Sequence, residues 1–518
     1  MIPISQLIVE AQDCSAIRFG IEGKPIGVGE LLARSSLLVS SAAASEAVAA
    51  ILTNDRPSVE IIMATIVQGA RLVSLPLPAR GADLAEYVRF LAKVIHRYGA
   101  KEIIARDDLA EILAASGLPS RGHKQLWSQP VCIAADAGFE LIQFTSGSTQ
   151  DPKAVRLSDD TIGTNVAAIV EAVRPRRGDV AVSWLPLSHD MGLIGMLLAS
   201  VASAGNAIAG RTRLVLLEPE SFLREPGIWM ESVSRHRGTF TAAPDFGFRL
   251  ASRAGLLAQG HLATLRVAIV GGEIVRAETL QTFVSAHEAA GLNALSICPA
   301  YGMAEFGLCV AMTPPDVLWR ETQRSEKPAP NSVNDAPSTS SGLPLLGYAV
   351  RTTGQSGSTA KPLEISGPAI GVDERVGRPF ASPGGWYRPG DVGFIDGGWV
   401  YICGRNDDYA TVNGRNVFLP AIEGAVGNVV GVRAGRVATF GLESGEWIVV
   451  AERTDSKSLD RVATVRLKLD IRRAVVGACG IGPSAIEIVD KGSIPVTPSG
   501  KLRRNHAKQL WVDGRFPS

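Results

Sequence analysis

Cysteine is scarce in this sequence of 518 residues and net charge is almost absent, and both shortages exclude classes of protein. The six cysteines lie far apart and form no CxxC pair or zinc-finger spacing, which predicts reduced thiols and a cytoplasmic location. Fifty-two basic residues against fifty-one acidic ones leave a formal charge of +1, so no global field recruits nucleic acid or an anionic membrane. We therefore expect any anionic ligand to be held locally.

Long uninterrupted hydrophobic runs are also few. The N-terminus lacks a basic region, and Glu10 and Asp13 interrupt its apolar residues, so we expect no signal peptide. Residues 191–210 reach transmembrane length without a charge, but four glycines, two serines and an asparagine favour a buried helix and turn. We predict no integral membrane association.

What the sequence does contain is the pattern of a large α/β protein. It is 46% hydrophobic and 20% charged, as ordinary globular chains are. Helical patterns alternate with short apolar runs, which indicates a parallel sheet covered by helices. The helical patterns lie at 46–53 and 83–98, and the strand-like runs lie at 72–77, 102–105, 180–185, 214–217 and 266–270.

Two changes of composition divide the remainder of the chain. Ser, Pro, Gly, Thr and Asn dominate residues 324–361, which indicates a surface insertion. Short strands and tight turns follow, and the chain finishes with about 110 residues of mixed strand and helix. We expect a large N-terminal α/β domain over 1–403, a linker at 404–408 and a small C-terminal α+β domain over 409–518.

The strongest local signal is a loop of hydroxyl side chains followed by a lysine. Small residues let backbone N–H groups and hydroxyls approach phosphate oxygens, and a lysine adds positive charge, so the loop suits a polyphosphate. A polar surface turn is the alternative, and no Walker A sequence is present. The residues are Thr145, Ser146, Gly147, Ser148, Thr149 and Lys153.

This loop resembles the phosphate-binding signature of the adenylate-forming superfamily, which includes acyl-CoA synthetases, fatty acyl-AMP ligases, luciferases and peptide-synthetase adenylation domains. The resemblance spans about residues 20–510 and implies a large N-terminal body with a small mobile C-terminal domain. Seven further motifs follow in the family's order. They begin at Trp184 (WLPLSHDMG), Gly271 (GGE), Tyr301 (YGMAE), Tyr387 (YRPGD), Gly404 (GRNDD), Gly414 (GRN) and Pro498 (PSGK).

The resemblance implies a site for ATP and Mg²⁺. Glu305 would bind Mg²⁺ because that ion prefers carboxylate and phosphate oxygens. Asp391 would accept hydrogen bonds from the ribose hydroxyls, with Arg405 nearby, although each alone is more often a surface salt bridge. The adenine would lie between the backbone of the GGE motif and the Tyr301 ring. The alternative for Tyr301 is a place in the hydrophobic core. The rest of this predicted nucleotide-binding set is Gly271, Gly272, Glu273, Gly302, Met303 and Ala304.

The resemblance also implies the reaction and its catalytic groups. A substrate carboxylate attacks the α-phosphorus of ATP, and the acyl group of the resulting acyl-adenylate then passes to a thiol. Lys153 and Lys501 would supply positive charge beside the Mg²⁺ held by Glu305. The small domain would rotate about Asp407 between the two steps. His189 would gate or line the carboxylate entry, with a structural histidine as the alternative.

The substrate and the acyl acceptor stay open at this level. Phe246 and Phe248 are candidate walls of an acyl pocket or core residues, and Asp245 is a candidate for contact with an amino group. The motifs look most like those of fatty acyl-AMP ligases, which load a separate acyl carrier protein. An acyl-CoA synthetase, a ligase for amino or aryl acids, and a non-catalytic nucleotide-binding relative are the alternatives.

Overall fold

The computed structural model of the chain describes residues 2–35, 39–45, 47–78, 84–126, 131–133, 138–145, 153–204, 212–254, 261–322, 339–353, 360–382, 384–412, 415–442, 445–454, 461–496 and 502–516. Strands and helices both occur along the whole of these residues. The strands are β1 (Ser15–Phe19), β2 (Pro25–Gly27), β3 (Val39–Ser45), β4 (Val48–Ala50), β5 (Arg71–Ser74), β6 (Ile103–Ala105), β7 (Ser120–Gly122), β8 (Val131–Ile133), β9 (Glu140–Thr145), β10 (Lys153–Ser158), β11 (Val180–Ser183), β12 (Thr212–Leu216), β13 (Phe240–Ala243), β14 (Val267–Val270), β15 (Ile297–Gly302), β16 (Cys309–Met312), β17 (Leu343–Pro344), β18 (Ala349–Thr352), β19 (Lys361–Ser366), β20 (Val372–Asp373), β21 (Arg378–Pro379), β22 (Asp391–Asp396), β23 (Trp399–Arg405), β24 (Tyr409–Val412), β25 (Arg415–Phe418), β26 (Val432–Gly441), β27 (Trp447–Arg453) and β28 (Ala485–Val489).

The helices begin mostly after polar or proline residues. Asp55 caps one of them by accepting from the Ser58 N–H, and Ser158 caps another through the Thr161 N–H. The α-helices are α1 (Ile4–Glu10), α2 (Val28–Ser35), α3 (Arg56–Val67), α4 (Leu84–Arg97), α5 (Asp107–Ala115), α6 (Asp159–Val173), α7 (Ala199–Ser203), α8 (Pro219–Arg224), α9 (Gly227–His236), α10 (Asp245–Arg253), α11 (Ala277–His287), α12 (Leu419–Gly427), α13 (Arg461–Cys479) and α14 (Arg504–Val512). A π-helix occupies Met191–Leu198, and short 3₁₀ turns lie at His123–Gln125, Glu288–Ala290, Ala294–Ser296, Ala304–Phe306 and Asn406–Asp408.

Two large sheets form the N-terminal body. One has the strand order β17-β16-β15-β14-β13-β11-β12-β1-β2, and the other has the order β21-β20-β10-β9-β5-β4-β6-β7. The central strands of both sheets are parallel, for example β13 with β14 and β5 with β9. These strands are almost continuously apolar because helices cover both faces of a parallel sheet. One hydrophobic core joins the two sheets, with Leu141 from one and Val182 from the other.

A smaller α+β unit follows, after the antiparallel sheet β18-β19-β22-β23 and the hairpin β24-β25. Its sheet has the order β26-β27-β28. Successive residues of β27 face opposite sides, so Val449 packs in the core that holds Ile471 of α13, while Val450 packs in the core that holds Ala507 of α14. The predicted fold class, a large N-terminal α/β body with a smaller C-terminal α+β domain, is confirmed.

Two sequence predictions are wrong. The helix predicted over 46–53 is replaced by β4, which lies between β5 and β6 and is buried along its whole length. The surface insertion predicted over 324–361 does not hold for Thr339, Ser340 and Ser341, which are buried, or for β17 and β18, which join sheets. Residues 324–338 and 354–359 of that stretch lie outside the described residues.

The uncharged stretch 191–210 is helical and buried where it is described. The π-helix runs directly into α7, and every residue of both is buried. Gly192 fits against the carbonyl oxygen of Pro186, which a Cβ at that position would approach to 2.2 Å. Throughout the described part of the chain, no helix is both long enough and apolar enough to cross a membrane.

Candidate active site

Several residues predicted to bind nucleotide lie where strands of the two large sheets reach their carboxyl ends. In the nine-stranded sheet, Gly271 directly follows β14, and Glu305 lies in the turn after β15. In the eight-stranded sheet, Thr145 ends β9 and pairs in register with Lys153 at the start of β10. Open α/β sheets bind ligands at this edge because their loops and backbone N–H groups gather there.

Lys153 and Glu305 form an ion pair that joins the two sheets. Lys153 Nζ lies 2.6 Å from Glu305 Oε1, and the side chains are 18% and 13% exposed. Nζ also donates to Tyr387 Oη at 3.1 Å, and the Tyr387 hydroxyl donates to Oε1 at 3.0 Å. Burial and the neighbouring Glu305 raise the pKa of Tyr387, which keeps its phenol a donor. The Phe380 ring, 4.1 Å from Nζ, adds a cation–π contact.

The turn that presents Glu305 depends on Gly302. The pairing of β15 with β16 shifts register between Tyr301 and Gly302. A Cβ at Gly302 would lie 1.7 Å from the Leu308 carbonyl oxygen, so a side chain does not fit at this position. Met303 then packs half-buried against the core and Ala304 is fully enclosed, which leaves Glu305 as the polar group of the turn.

Tyr301 and Asp391 form a second pair beside the first. Tyr301 Oη donates to Asp391 Oδ2 at 2.5 Å, and Arg405 Nε lies 3.4 Å from Oδ1. The antiparallel register of β22 and β23 sets Asp391 opposite Arg405. Burial raises the pKa of Asp391, and Tyr301 and Arg405 oppose that shift. Burial and Asp391 raise the pKa of Tyr301, so the phenol is the donor of this pair.

The Gly271-Gly272-Glu273 segment presents backbone at the same edge. A Cβ at Gly271 would lie 3.0 Å from the Ala300 carbonyl oxygen, and Gly272 has a φ of +76°, which favours glycine. Glu273 Oε1 accepts a hydrogen bond from the Phe246 N–H at 2.6 Å, which ties this segment to the start of α10. The two predicted segments, for adenine and for acyl chain, are therefore in direct contact.

His189 lies two residues before the start of the π-helix. Its Nδ1 is 2.6 Å from Asp190 Oδ1, and its side chain is 43% exposed. The backbone beside it is held by Gln143 of β9, whose amide donates to the Ser188 carbonyl oxygen at 2.8 Å. The His189 imidazole is therefore exposed on one side and oriented by Asp190 on the other.

The structure separates the three candidates for the acyl pocket. Phe246 is half-buried and packs edge-on against Trp184. Phe248 is fully buried in the core, 5.1 Å from the ring of Trp229, which agrees with the core alternative. Asp245 is fully buried as well, and its carboxylate accepts hydrogen bonds from the Arg276 N–H at 2.9 Å, from Arg276 Nη1 at 3.0 Å and from Thr279 Oγ1 at 3.2 Å.

Asp245 therefore does not present a carboxylate to a substrate amino group. Both of its oxygens hold the start of α11, because Oδ1 accepts from the Arg276 backbone and Oδ2 accepts from the side chains of Arg276 and Thr279, with Arg249 as a third donor at 3.5 Å. The assignment of Asp245 to substrate contact is wrong on this geometry. A buried carboxylate with these partners would lose several hydrogen bonds if it turned toward a ligand.

Several predicted residues cannot be placed. Lys501 and the loop residues Ser146, Gly147, Ser148 and Thr149 lie outside the described residues. The backbone of Thr145 ends β9 and that of Asp407 lies in the turn Asn406–Asp408, but their side chains are also outside the description.

Among the described residues, no three acidic, histidine or cysteine side chains gather into a metal site. Glu305 fits a different kind of site. Lys153 and Tyr387 both contact its Oε1, and Mg²⁺ is typically bound by one or two carboxylates together with substrate phosphate oxygens. The residues present therefore suit a metal that arrives with a nucleotide.

Three residues that complete this geometry were missed by sequence reasoning. Tyr387 begins the YRPGD motif, yet no local sequence pattern shows that its hydroxyl bridges Lys153 and Glu305. Phe380 carries no motif signal. Gln143 stands as a polar residue inside an apolar buried strand, which is a usable signal of a polar contact.

A family profile and several named relatives match this chain. The profile of the AMP-binding enzyme family matches residues 37–359. The chain is 28% identical over 521 residues to a Caulobacter vibrioides protein named as an acyl-CoA synthetase, covering 93% of this chain and 88% of that one. It is 28% identical over 508 residues to a long-chain-fatty-acid–AMP ligase of Mycobacterium marinum, covering 84% and 77%.

The fold is likewise shared with solved structures. A structure from a study of fatty acyl-adenylate ligases from E. coli and L. pneumophila superposes with a TM-score of 0.86 at 22% identity, covering 99% of this chain and 98% of that one. At that identity the match establishes the fold, while the family profile covers more than half of the chain. The chain therefore belongs to the AMP-binding enzyme family, the adenylate-forming enzymes that its motifs resemble.

Proposed function

We propose that this protein uses ATP to activate a fatty acid as its acyl-adenylate and then transfers the acyl group to a separate acyl carrier protein. In the first step a carboxylate oxygen attacks the α-phosphorus, and pyrophosphate leaves. In the second step the phosphopantetheine thiol attacks the acyl carbon and loses its proton, and AMP leaves with the bonding pair. The Lys153–Glu305 pair beside the Tyr301–Asp391 pair is the observation that carries this proposal.

Lys153 and Glu305 would serve the triphosphate. When phosphate oxygens arrive, Lys153 has a stronger partner than the one carboxylate it contacts now, and Glu305 becomes available to a cation. Mg²⁺, bound through Glu305 and the phosphates, would neutralise charge on the triphosphate. Two anions must approach each other in this reaction, so preorganised positive charge lowers the barrier. Tyr387 and Phe380 would hold Lys153 at that position.

Asp391 would bind the nucleoside. Its carboxylate has Tyr301 on one oxygen and Arg405 near the other, and the ribose hydroxyls would add to this set. The bond from the Tyr301 hydroxyl to Asp391 fixes the tyrosine ring beside the ribose position. The backbone at Gly271 and Gly272 would take the adenine, because neither residue carries a side chain of its own.

A fatty substrate is favoured over an amino acid. The carboxylate of Asp245, the candidate for contact with an amino group, already accepts hydrogen bonds from Arg276 and Thr279. Phe246 and His189 remain as candidates for the acyl chain and for the substrate carboxylate. The relative named as a long-chain-fatty-acid–AMP ligase supports the same substrate class.

The two steps would use two orientations of the small domain. We place the N-terminal domain over 1–403, the linker at 404–408 with Asp407 as its hinge, and the C-terminal domain over 409–518. Lys501 of the C-terminal domain would serve the first step and leave the site in the second. The change of orientation would open the acyl-adenylate to the carrier thiol.

The decisive experiment measures each step with defined substrates. ATP–pyrophosphate exchange is screened over fatty, aryl and amino acids, and radiolabelled acyl transfer is then compared between a holo acyl carrier protein and CoA. We expect exchange with a fatty acid and transfer to the carrier, with Lys153→Ala as the inactive control. Transfer to CoA at an equal rate would assign the protein to acyl-CoA synthetases. Absence of exchange with every acid would indicate a non-catalytic nucleotide-binding protein.

A further inference from the structure

Arg504, the first residue of α14, contacts carboxylates from two other elements. Its Nη1 lies 2.5 Å from Asp408 Oδ1, and its Nε and Nη2 lie 3.1 Å and 3.0 Å from the two oxygens of Glu423 in α12. The three side chains are only 15%, 16% and 14% exposed. The planar fork of a guanidinium is suited to bind one carboxylate with two donors while a third donor reaches another.

Backbone donors complete this buried cluster. Two carboxylates carry more charge than one arginine neutralises, and the Thr439 N–H donates to Glu423 Oε1 at 2.9 Å. The Arg405 N–H donates to Asp408 Oδ2, also at 2.9 Å. A fully hydrogen-bonded set of buried charges has one preferred geometry, because removal of any member leaves an uncompensated charge behind.

The contacts continue from this cluster into the candidate active site. Arg405 is bonded to Asp408 through its backbone and faces Asp391 through its side chain at 3.4 Å. Asp391 in turn accepts from Tyr301. The hydrogen bond between Arg405 and Asp408 also spans Asp407, so a rotation of the backbone at Asp407 changes it directly. Asp408 therefore stands between the small domain and the nucleotide-binding residues.

The chain on the other side of Arg504 leads to Lys501. Val496 and Leu502, which flank the segment 497–501, pair as an antiparallel bridge. The Arg503 N–H donates to the Pro495 carbonyl oxygen at 3.0 Å. The two ends of this segment are therefore held together at the start of α14, and what fixes α14 fixes them as well.

We propose that Arg504 is a positioning residue that fastens the start of α14 to the linker through Asp408 and to α12 through Glu423. This inference rests on the proposed function, in which Lys501 serves adenylate formation. The Arg504 cluster thereby holds Val496 and Leu502, the described residues between which the segment with Lys501 begins and ends. Glu423 anchors Arg504 within the small domain, and Asp408 carries the connection to the linker.

The sharpest test changes Asp408, because Asp408→Asn leaves the Arg504–Glu423 pair in place. Arg504→Gln removes the whole connection, and Arg504→Lys keeps the charge without the fork. Arg503→Gln is the matched control, since it removes the neighbouring positive charge from outside the cluster. Each variant is assayed for ATP–pyrophosphate exchange, for transfer from supplied acyl-adenylate, and for its melting temperature.

We expect Asp408→Asn and Arg504→Gln to lower kcat of exchange about 10- to 100-fold, the range that loss of a charge-assisted hydrogen bond gives. In these two variants, KM for ATP and the rate of transfer should change by less than about threefold. Arg504→Lys should recover part of kcat. Arg503→Gln should match the parent protein. If Arg504→Gln does not fold, the kcat of Asp408→Asn alone tests the inference. Equal loss in both steps, or no loss in Asp408→Asn, would overturn the inference. An inactive parent protein would contradict the proposed function instead.

Discussion

Lys153 Nζ and Glu305 Oε1 lie 2.6 Å apart although their strands belong to different sheets. Lys153 begins β10 of the eight-stranded sheet, and Glu305 follows β15 of the nine-stranded sheet. The pair is mostly buried, and burial of two charges is offset only by their contact and by hydrogen bonds to groups such as the Tyr387 hydroxyl. The two charges of the pair thus compensate each other where the two sheets meet.

The first prediction is that Lys153 and Glu305 are coupled. Lys153→Ala and Glu305→Ala should each lower the melting temperature, since each leaves one buried charge without its partner. The double variant should lose less than the sum of the two, with a coupling of about 0.5–3 kcal/mol. Differential scanning calorimetry with and without MgATP measures this. Strictly additive losses would show that the two groups do not depend on each other.

The second prediction concerns the pH dependence of nucleoside binding. Burial raises the pKa of Asp391, Tyr301 and Arg405 lower it, and Glu305 and Asp408 raise it further. The ionised carboxylate is the form that accepts hydrogen bonds from ribose. Adenosine affinity should therefore be complete above this raised pKa and should fall as the pH decreases through it, at a higher pH than for an ordinary aspartate.

Adenosine is the suitable ligand because it carries no phosphate that titrates in the same range. Isothermal titration at a series of pH values from pH 8 downward should show the fall in the parent protein. Asp391→Asn should bind more weakly, by about 10- to 100-fold at pH 8, and without the pH dependence. Asp396→Asn, an exposed position at the far end of the same strand, is the control. A pH profile that survives in Asp391→Asn would assign it to another group.

Several parallel strands of the N-terminal body were predicted from the sequence, but β4 was predicted as a helix. Apolar runs such as 180–185 and 266–270 became β11 and β14 because a strand buried on both faces leaves that local pattern. Residues 46–53 are just as apolar and rich in alanine, so their pattern fits a helix equally well. These residues form strand β4 because they pair with β5 and β6, which lie further along the chain and are not part of the local pattern.

The candidate site was predictable where its residues lie in motifs and not where it depends on contacts between motifs. Lys153, Glu305 and Asp391 were found from the motifs around them. The bridging hydroxyl of Tyr387 depends on the relative placement of two sheets, which no local pattern encodes. Asp245 shows the reverse case, because its motif suggested a ligand while Arg276, the residue directly before α11, donates to its carboxylate.

The third prediction tests the turn that presents Glu305. Gly302→Ala should lower the melting temperature and sharply reduce ATP–pyrophosphate exchange, because the new Cβ would meet the Leu308 carbonyl oxygen at 1.7 Å and displace the turn. Gly424→Ala in α12 is the matched control, since apart from its chain neighbours and the backbone of its own helix no described atom lies within 4 Å of its Cβ position. That control should gain roughly 0.4–1 kcal/mol of stability. Full activity in Gly302→Ala would show that the turn adapts.

The fourth prediction separates the two steps at Lys501. Lys501→Ala should nearly abolish adenylate formation, because it removes positive charge from the approach of the carboxylate to ATP. Transfer from a supplied acyl-adenylate should stay close to the parent rate, since the proposed rotation takes Lys501 out of the site for that step. Pyrophosphate exchange and single-turnover transfer measure the two steps separately. A matching loss in both would place Lys501 outside this role.

The fifth prediction concerns carrier docking on α13. Leu467, Ile471 and Val475 face the core of the small domain. Val465 and Leu469, about half a turn away, are 54% and 50% exposed, which leaves an apolar stripe on the solvent side. This outer surface is accompanied by exposed arginines. A stripe of this kind suits an acidic protein partner, for which the basic groups steer encounter and the apolar groups hold it.

Arg466 and Arg472 are the exposed basic residues to change, because Arg473 is already paired with Asp470 at 3.1 Å. Replacing Arg466 and Arg472 with glutamate should slow carrier loading and flatten its dependence on salt, while ATP–pyrophosphate exchange stays unchanged. Long-range attraction is screened by salt, so the effect should be largest at low ionic strength. Lys24→Glu with Arg177→Glu in the N-terminal body makes the same change in net charge and is the control. If both double variants slow loading equally, the effect belongs to total charge and not to α13.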